Sequence, residues 1–378
     1  MTQSNVSQPE AVAPLRVIQV GAGGMGRAWL ATIAASDDVD LVGLVDLDLA
    51  VARAAADAAG FTPVPVATSL TELMDSTRAQ AVINVTVPQA HLPVNVEALF
   101  AGLPVLCEKP AAPTVADALV MVAAAEASGR LLMISQSRRY FNHLLEFKRL
   151  ADRLGPVGSL SCEFFKGPHF GGFRETMPQP LLVDMAIHQF DLARLLLGAE
   201  PVAVYCETYN PSWSWFGGDA AATAVFEFEG GARFNYHGSW CSPGLETSWN
   251  GSWRVSTAAG SALWDGDTPP VVEAPDDPSV QVQPSPTGPE QIAGSLAEFV
   301  GALRTGATPQ GVVRANVLSL AMVEAAVRSA DTGRRVMITE VLEGAYAEAR
   351  QAPQDERIRS ELNGWSSVAE ALSLRAGR

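Results

Sequence analysis

From Leu15 onward, short apolar runs rich in branched residues recur at regular intervals: LRVIQVG, LVGLVD, AVINVTV, PVLCEKP and LLMISQS. Between them lie segments with helical spacing of apolar positions, at 25–35, 49–59, 94–101 and 115–127, and a weaker strand fits TPVPV. Strands that alternate with helices predict parallel βαβ units. Right-handed crossovers wind such units into a doubly wound α/β sheet.

Beyond Arg138 the pattern changes. A helix fits 142–154 and stops at Gly155-Pro156. Strand-like runs follow: SLSCEFFKG, PVAVYCETY, TAVFEFEGGARFNYHG, SWRVSTAAGSALW and PVVEA. The third reads as a hairpin turning at Gly230-Gly231. Helices fit DMAIHQFDLARLLLG, 292–305 and 315–332. This half predicts an α+β domain with a large open, mainly antiparallel sheet. Residues 267–290, rich in Pro, Asp and Ser, read as a surface excursion, and the charged, Ala-rich tail from Val341 as one or two helices.

The chain has 378 residues, 48% of them hydrophobic, which suits two globular domains. Its net charge of −15 opposes the footprint of a nucleic-acid or anionic-membrane binder. A small anionic substrate stays compatible, because a basic pocket can sit inside an acidic chain. Cys107, Cys162, Cys206 and Cys241 lie far apart without a CxxC pair, as reduced core thiols would. The first residues lack a basic region followed by an apolar stretch, and no run of about 18 apolar residues occurs. A cytoplasmic, membrane-free protein is expected.

Gly21-Ala22-Gly23-Gly24-Met25-Gly26 follows a strand and opens a helix, the context in which a GxGxxG binds a dinucleotide. Gly21 allows the tight turn, Gly23 lets backbone approach a diphosphate, and Gly26 lets helix and strand pack closely. Asp46 ends the second strand, where a carboxylate accepts ribose hydroxyls and repels a 2′-phosphate. Thr86, Pro88 and His91 fall in the turn after the fourth strand. Glu108 and Lys109 end the fifth at the same carboxyl edge, so Lys109 can reach into the crevice. Glu108 and Pro110 would set its direction, through a cis Lys–Pro bond.

Asp184, His188 and Asp191 sit at i, i+4 and i+7, on one helical face. A histidine between two carboxylates is held in one tautomer with a raised pKa, as a general base requires. The same spacing also fits a plain polar stripe. A metal reading with Asp184 and His188 lacks a third ligand, so no metal is expected. Lys166, His169 and Arg174 lie on the loop leading into this helix and can grip a sugar or an anionic group. Tyr140, in RRYFNH at the junction of the two halves, can line the cleft, and Trp213, Trp215 and Trp240 can stack on a sugar ring.

Together these pieces resemble the glucose–fructose oxidoreductase/inositol dehydrogenase/MocA family, from about Leu15 to Ile338. The resemblance implies an NAD-binding Rossmann domain at 14–137, a substrate-binding and oligomerisation domain at 138–340 and a helical tail at 341–378. It implies NAD or NADP as cofactor, Asp46 favouring NAD, and a homodimer or homotetramer through the second sheet. It places Lys109, Asp184 and His188 around the reacting carbon. The expected activity is NAD-dependent oxidation of a secondary hydroxyl on a sugar, cyclitol or glycoside. Lys109 would hold the reacting oxygen, His188 would take the proton and Asp184 would orient His188. A redox-neutral glycosidase on the same scaffold is the nearest alternative, with Tyr140, His169 or Lys166 as second base or acid; a non-enzymatic NAD sensor is another.

Overall fold

The computed structural model describes residues 13–353 and 355–373. Its first sheet has six parallel strands, β1 (Leu15–Val20), β2 (Val39–Val45), β3 (Val66–Ala67), β4 (Ala81–Asn84), β5 (Val105–Glu108) and β6 (Leu132–Ser135). They run in the order β3-β2-β1-β4-β5-β6. The order reverses between β1 and β4, which opens a crevice at the carboxyl ends of the strands. The expected doubly wound architecture is therefore present. β3 falls at the end of TPVPV, not across it, because Pro63 and Pro65 have no N–H for a ladder.

The helix Pro88–Phe100 starts six residues before the expected 94. Its prolines hide it from a pattern search. Pro88 takes the first helical position, where a missing N–H costs nothing, and Pro93 lies inside. A further helix, Thr71–Thr77, gave no clear periodic signal.

The second sheet comprises β7 (Val157–Phe165), β8 (Pro201–Tyr209), β9 (Ala221–Phe228), β10 (Arg233–Ser239), β11 (Ser252–Thr257), β12 (Ser261–Trp264), β13 (Val271–Glu273) and β14 (Val336–Met337). The order is β13-β12-β11-β7-β10-β9-β8-β14, antiparallel except for the parallel pair β7/β10. The β9–β10 hairpin turns at Gly230 and Gly231, as its sequence predicts. Register separates the faces cleanly. Cys206, Ala224, Tyr236, Cys162, Trp253 and Trp264 follow one another across the sheet and are buried. One residue away, Tyr205, Val225, Asn235, Ser161, Arg254 and Leu263 form the outer row.

Two segments pack where their sequence position does not suggest. Helix Gln291–Thr305 buries Leu296, Phe299 and Val300 with Val17, Trp29, Leu30, Ile83 and Met133, so it covers a face of the first sheet. The tail forms Ile338–Gln351, Glu356–Gly364 and Val368–Leu372, one helix more than expected. It returns to helix Val115–Ser128, where the Trp365 indole N–H donates to Glu126 at 2.9 Å. Among the described residues no helix is long and apolar enough to cross a membrane.

The two sheets are joined by a buried ion pair. Arg139, in the turn after β6, donates from Nε and Nη2 to Asp191 at 2.6 and 2.8 Å. Ser319 Oγ donates to the same carboxylate at 2.6 Å, and Asp191 is only 1% exposed. Removing one partner of such a pair strands the other without water. Asp191→Ala should therefore lower the unfolding free energy by about 3–5 kcal/mol. Urea denaturation measures this, and an unchanged midpoint would show that the pair does not join the sheets.

Candidate active site

Gly21 leaves β1 with φ +101°, and a Cβ there would lie 2.6 Å from the Val85 carbonyl oxygen. At Gly26 a Cβ would stand 2.3 Å from the Gly21 carbonyl oxygen, so helix and strand meet too closely for any side chain. Buried Gln19 fixes the turn by donating to the Gly21 and Gly26 carbonyls at 2.8 and 2.9 Å. Gly23 and Gly24 face open space, and helix Gly24–Ala34 has no side-chain cap. Its leading N–H groups can thus receive a diphosphate. Asp46 accepts from the Ala22 N–H at 2.8 Å and the Asp48 N–H at 3.0 Å, which aims its carboxylate beside the turn. Exposed Met25, Leu47 and Val87 stand along this edge. They offer apolar cover to a base or a nicotinamide ring. The residues present fit a dinucleotide.

The next turn is built by bracing. Thr86 donates from N–H and Oγ1 to Asn84 Oδ1 at 3.2 and 2.7 Å. His91 was expected in this turn as a cofactor contact, but it lies inside helix Pro88–Phe100 and is fully buried. Its ring nitrogens lie 2.8 Å from the Pro110 carbonyl and 3.1 Å from the Thr86 carbonyl, so it ties two loops. Burial holds its pKa below the usual histidine range.

Glu108 is likewise a brace. It accepts from the Trp29 indole N–H at 2.8 Å and from the Lys109 backbone N–H at 3.0 Å. Burial pushes its carboxyl up, against the pull of these donors and of the Lys109 charge. The Lys109–Pro110 bond is cis.

Lys109 then crosses to the second layer. Its Nζ donates to the Asp184 carbonyl at 3.0 Å and lies 3.5 Å from Asp184 Oδ1. Arg174 Nε donates to the other carboxylate oxygen at 2.6 Å. Burial pushes the Asp184 carboxyl up, but Lys109 and Arg174 outweigh it and hold it below the usual carboxylate range.

The expected His188 flanked by two acids does not form. Residues Leu181–Ala186 wind as a π-helix before the α-helix Ile187–Leu197, which changes the angular spacing between Asp184 and His188. Cations then take both carboxylates: Lys109 and Arg174 hold Asp184, while Arg139 holds Asp191. His188 Nδ1 is buried without a protein partner. Burial first, then the charges of Arg138 and Lys109, set its pKa well below the usual value, not above it.

The loop residues divide. Arg174 joins the Lys109–Asp184 cluster. Lys166 is nearly buried and pairs with Glu246 at 2.9 Å, its Nζ 5.2 Å from the Trp249 ring centre. His169 stacks on Trp215 with ring centres 3.9 Å apart. Tyr140 donates its hydroxyl to Glu298, and burial pushes the phenol up, so it is committed to helix Gln291–Thr305. Trp240 is buried and cannot carry a sugar, whereas Trp213 is exposed. Sequence pattern missed Trp249, Glu246 and Arg138. The first two lie in an irregular loop with no periodicity to mark them, and Arg138 differs from its neighbour Arg139 only in what it meets. Among the described residues no group of three or more His, Cys, Asp or Glu side chains could hold a metal.

Residues 15–136 match an oxidoreductase family with an NAD-binding Rossmann fold, and residues 150–263 match the GFO/IDH/MocA C-terminal domain. The uncharacterized protein y4oX of Sinorhizobium fredii is 27% identical, over 87% of this chain and 97% of that one. An inositol 2-dehydrogenase of Saccharopolyspora erythraea is 34% identical, over 50% of this chain and 56% of its own length. A crystal structure of an oxidoreductase from Agrobacterium radiobacter, in complex with NAD+, L-tartaric acid and magnesium, superposes with a TM-score of 0.78. At 20% identity, over 87% of this chain and 99% of that one, it speaks to the fold.

The turn and its acid generate a cofactor prediction. NAD should bind more tightly than NADP by roughly tenfold to a hundredfold, the worth of a charge-assisted bond lost to the 2′-phosphate. Fluorescence titration with both dinucleotides decides this. Tighter NADP binding would remove Asp46 from the ribose site.

Proposed function

The chain belongs to the Gfo/Idh/MocA oxidoreductase family, and from that premise we propose that it oxidises a secondary hydroxyl of a sugar or cyclitol with NAD. The observation that carries this reading is Lys109, held by Asp184 at the carboxyl edge of the first sheet, beside a neutral and unpartnered His188. Bound NAD supplies the hydride acceptor; the Gly21–Gly26 turn would hold its diphosphate and Asp46 its adenosine ribose. An ammonium has three N–H groups, and Asp184 receives two of them. The third can donate to the substrate oxygen, where the Lys109 charge stabilises a developing alkoxide. His188 takes the hydroxyl proton. Asp184 positions Lys109, not His188.

The glycosidase alternative needs a second base or acid. Its three candidates are engaged: Tyr140 with Glu298, Lys166 with Glu246, and His169 stacked on Trp215. No observation favours it over dehydrogenation. Four buried, unpaired thiols fit a reducing cytoplasm. Self-association would use the outer row of the second sheet, where Tyr205, Val225 and Leu263 are exposed. Light scattering should give a dimer or tetramer, which Val225→Glu dissociates; a monomeric wild type would remove that assignment.

Lys109→Ala and His188→Ala should fold and bind NAD within a few-fold of wild type, yet lose a factor of about 10²–10⁴ in kcat on a polyol substrate. The depressed pKa of His188 sets the sign of the pH dependence. As pH falls through about 6.5 an ordinary histidine would charge and kcat/KM would drop; here the profile should stay flat there and bend only at lower pH. Near-normal turnover in either variant ends that residue's role. A protein that binds NAD but forms no NADH with any polyol is better read as a sensor.

A further inference from the structure

Three of the arginines that meet carboxylates here do so in one way. Arg139 uses Nε and Nη2 on Asp191, Arg149 the same pair of nitrogens on Glu146, and Arg194 the same pair on Glu200. Each is the side-on fork that matches two carboxylate oxygens. Arg138 departs from this. Its Nη1 donates to the Trp249 carbonyl and, at 2.8 Å, to Asn250 Oδ1. Among the described residues, Nε and Nη2 have no partner and no carboxylate lies within ion-pair distance. The guanidinium is thus anchored from one end, with its fork open.

Its position is beside the reacting cluster. The neighbouring Arg139 is clamped to Asp191, three residues after His188 on the same helix. Trp249, whose carbonyl anchors Arg138, carries Lys166 over its ring. The Arg138 charge is also the strongest influence on His188 after burial. Four cations, Lys109, Arg138, Lys166 and Arg174, surround this region, and the carboxylates bonded to them are Asp184 and Glu246. In a chain of net charge −15 that is a local positive surplus.

We propose that the substrate is a polyhydroxy carboxylic acid, of the uronate or aldonate class, and that Arg138 receives its carboxylate through the open Nε/Nη2 fork. The inference rests on the polyol-oxidising reading above and narrows it. We choose a carboxylate over a phosphate because the free edge is the one that Arg139, Arg149 and Arg194 turn to this chain's own carboxylates.

The test is calorimetric titration of the NADH-saturated protein, in which an alcohol cannot be oxidised. The ligands are D-glucuronate against D-glucose, D-galacturonate against D-galactose, D-gluconate against D-glucitol, and D-glucose 6-phosphate. In at least one pair the acid should bind roughly tenfold to a hundredfold more tightly. That ratio should fall to near one in Arg138→Gln and to an intermediate value in Arg138→Lys, with NADH affinity unchanged. Arg138→Lys keeps the charge without the fork, so it serves alone if Arg138→Gln does not fold. Three results would overturn the proposal: neutral members binding as well as the acids, a ratio that survives both variants, or tighter binding of the sugar phosphate. These leave the polyol reading standing. If no sugar or acid binds, that reading falls and takes this one with it.

Discussion

The Lys109 ammonium leaves the end of one sheet and is caught by the Asp184 carbonyl in the layer of the other. This contact spans the junction of the two halves, and much of the surrounding structure serves to aim it. Glu108 holds the Lys109 backbone from below and leans on Trp29 of the first helix. His91 holds the next residue, Pro110, by its carbonyl. On the far side Arg174 takes the second oxygen of Asp184, which keeps the carboxylate ionised and facing the cleft. Buried polar groups have to find partners, and here nearly every partner points back at the same lysine. Preorganisation of this kind lets a charge stabilise an oxyanion without rearranging first.

Much of this was legible from sequence because the parts concerned are local. The glycine turn needs a strand before it and a helix after it, and both are contiguous in the chain. Alternation in β7 to β12 separated buried from exposed rows because register in a half-buried sheet leaves a two-residue period. The helix that carries Asp184 and His188 misled for a local reason too. Spacing by i+4 and i+7 assumes α geometry, and the π turn at Leu181–Ala186 breaks it. What no period encodes is which cation claims an acid. Asp191 looked like a partner for His188, but the stronger fork of Arg139, from a turn about 50 residues away, outcompetes it.

Long-range packing was the other blind spot. Helix Gln291–Thr305 shows an ordinary amphipathic pattern, and that pattern says only that one face needs cover. Leu296 and Phe299 could have met either sheet; they meet the first, next to Trp29. The tail behaves the same way, with Glu126 receiving Trp365 across the helix Val115–Ser128. Both segments bind the first layer to elements that follow the second, so the chain crosses the junction repeatedly. The gap between the layers is then fixed at several points, which a lysine bridge of one hydrogen-bond length requires.

The electrostatics of the cleft follow from the same crossing. With Asp184 and Asp191 both claimed, His188 faces positive charge and stays neutral. A base of low proton affinity looks ill suited to an alcohol. Burial weakens the base most, then Arg138 and Lys109, and in the proposed reaction the last of these would also act on the acid. Lys109 would lower the proton affinity of a substrate oxygen at hydrogen-bond distance, and Coulomb energy falls with separation. An oxygen nearer to Lys109 than the imidazole is would therefore gain more than the imidazole loses. The difference in affinity between them narrows, and a proton reaching His188 is released readily. In the proposed reaction, a cation closer to the reacting oxygen than to the base would thus make a weak base serviceable in this cleft.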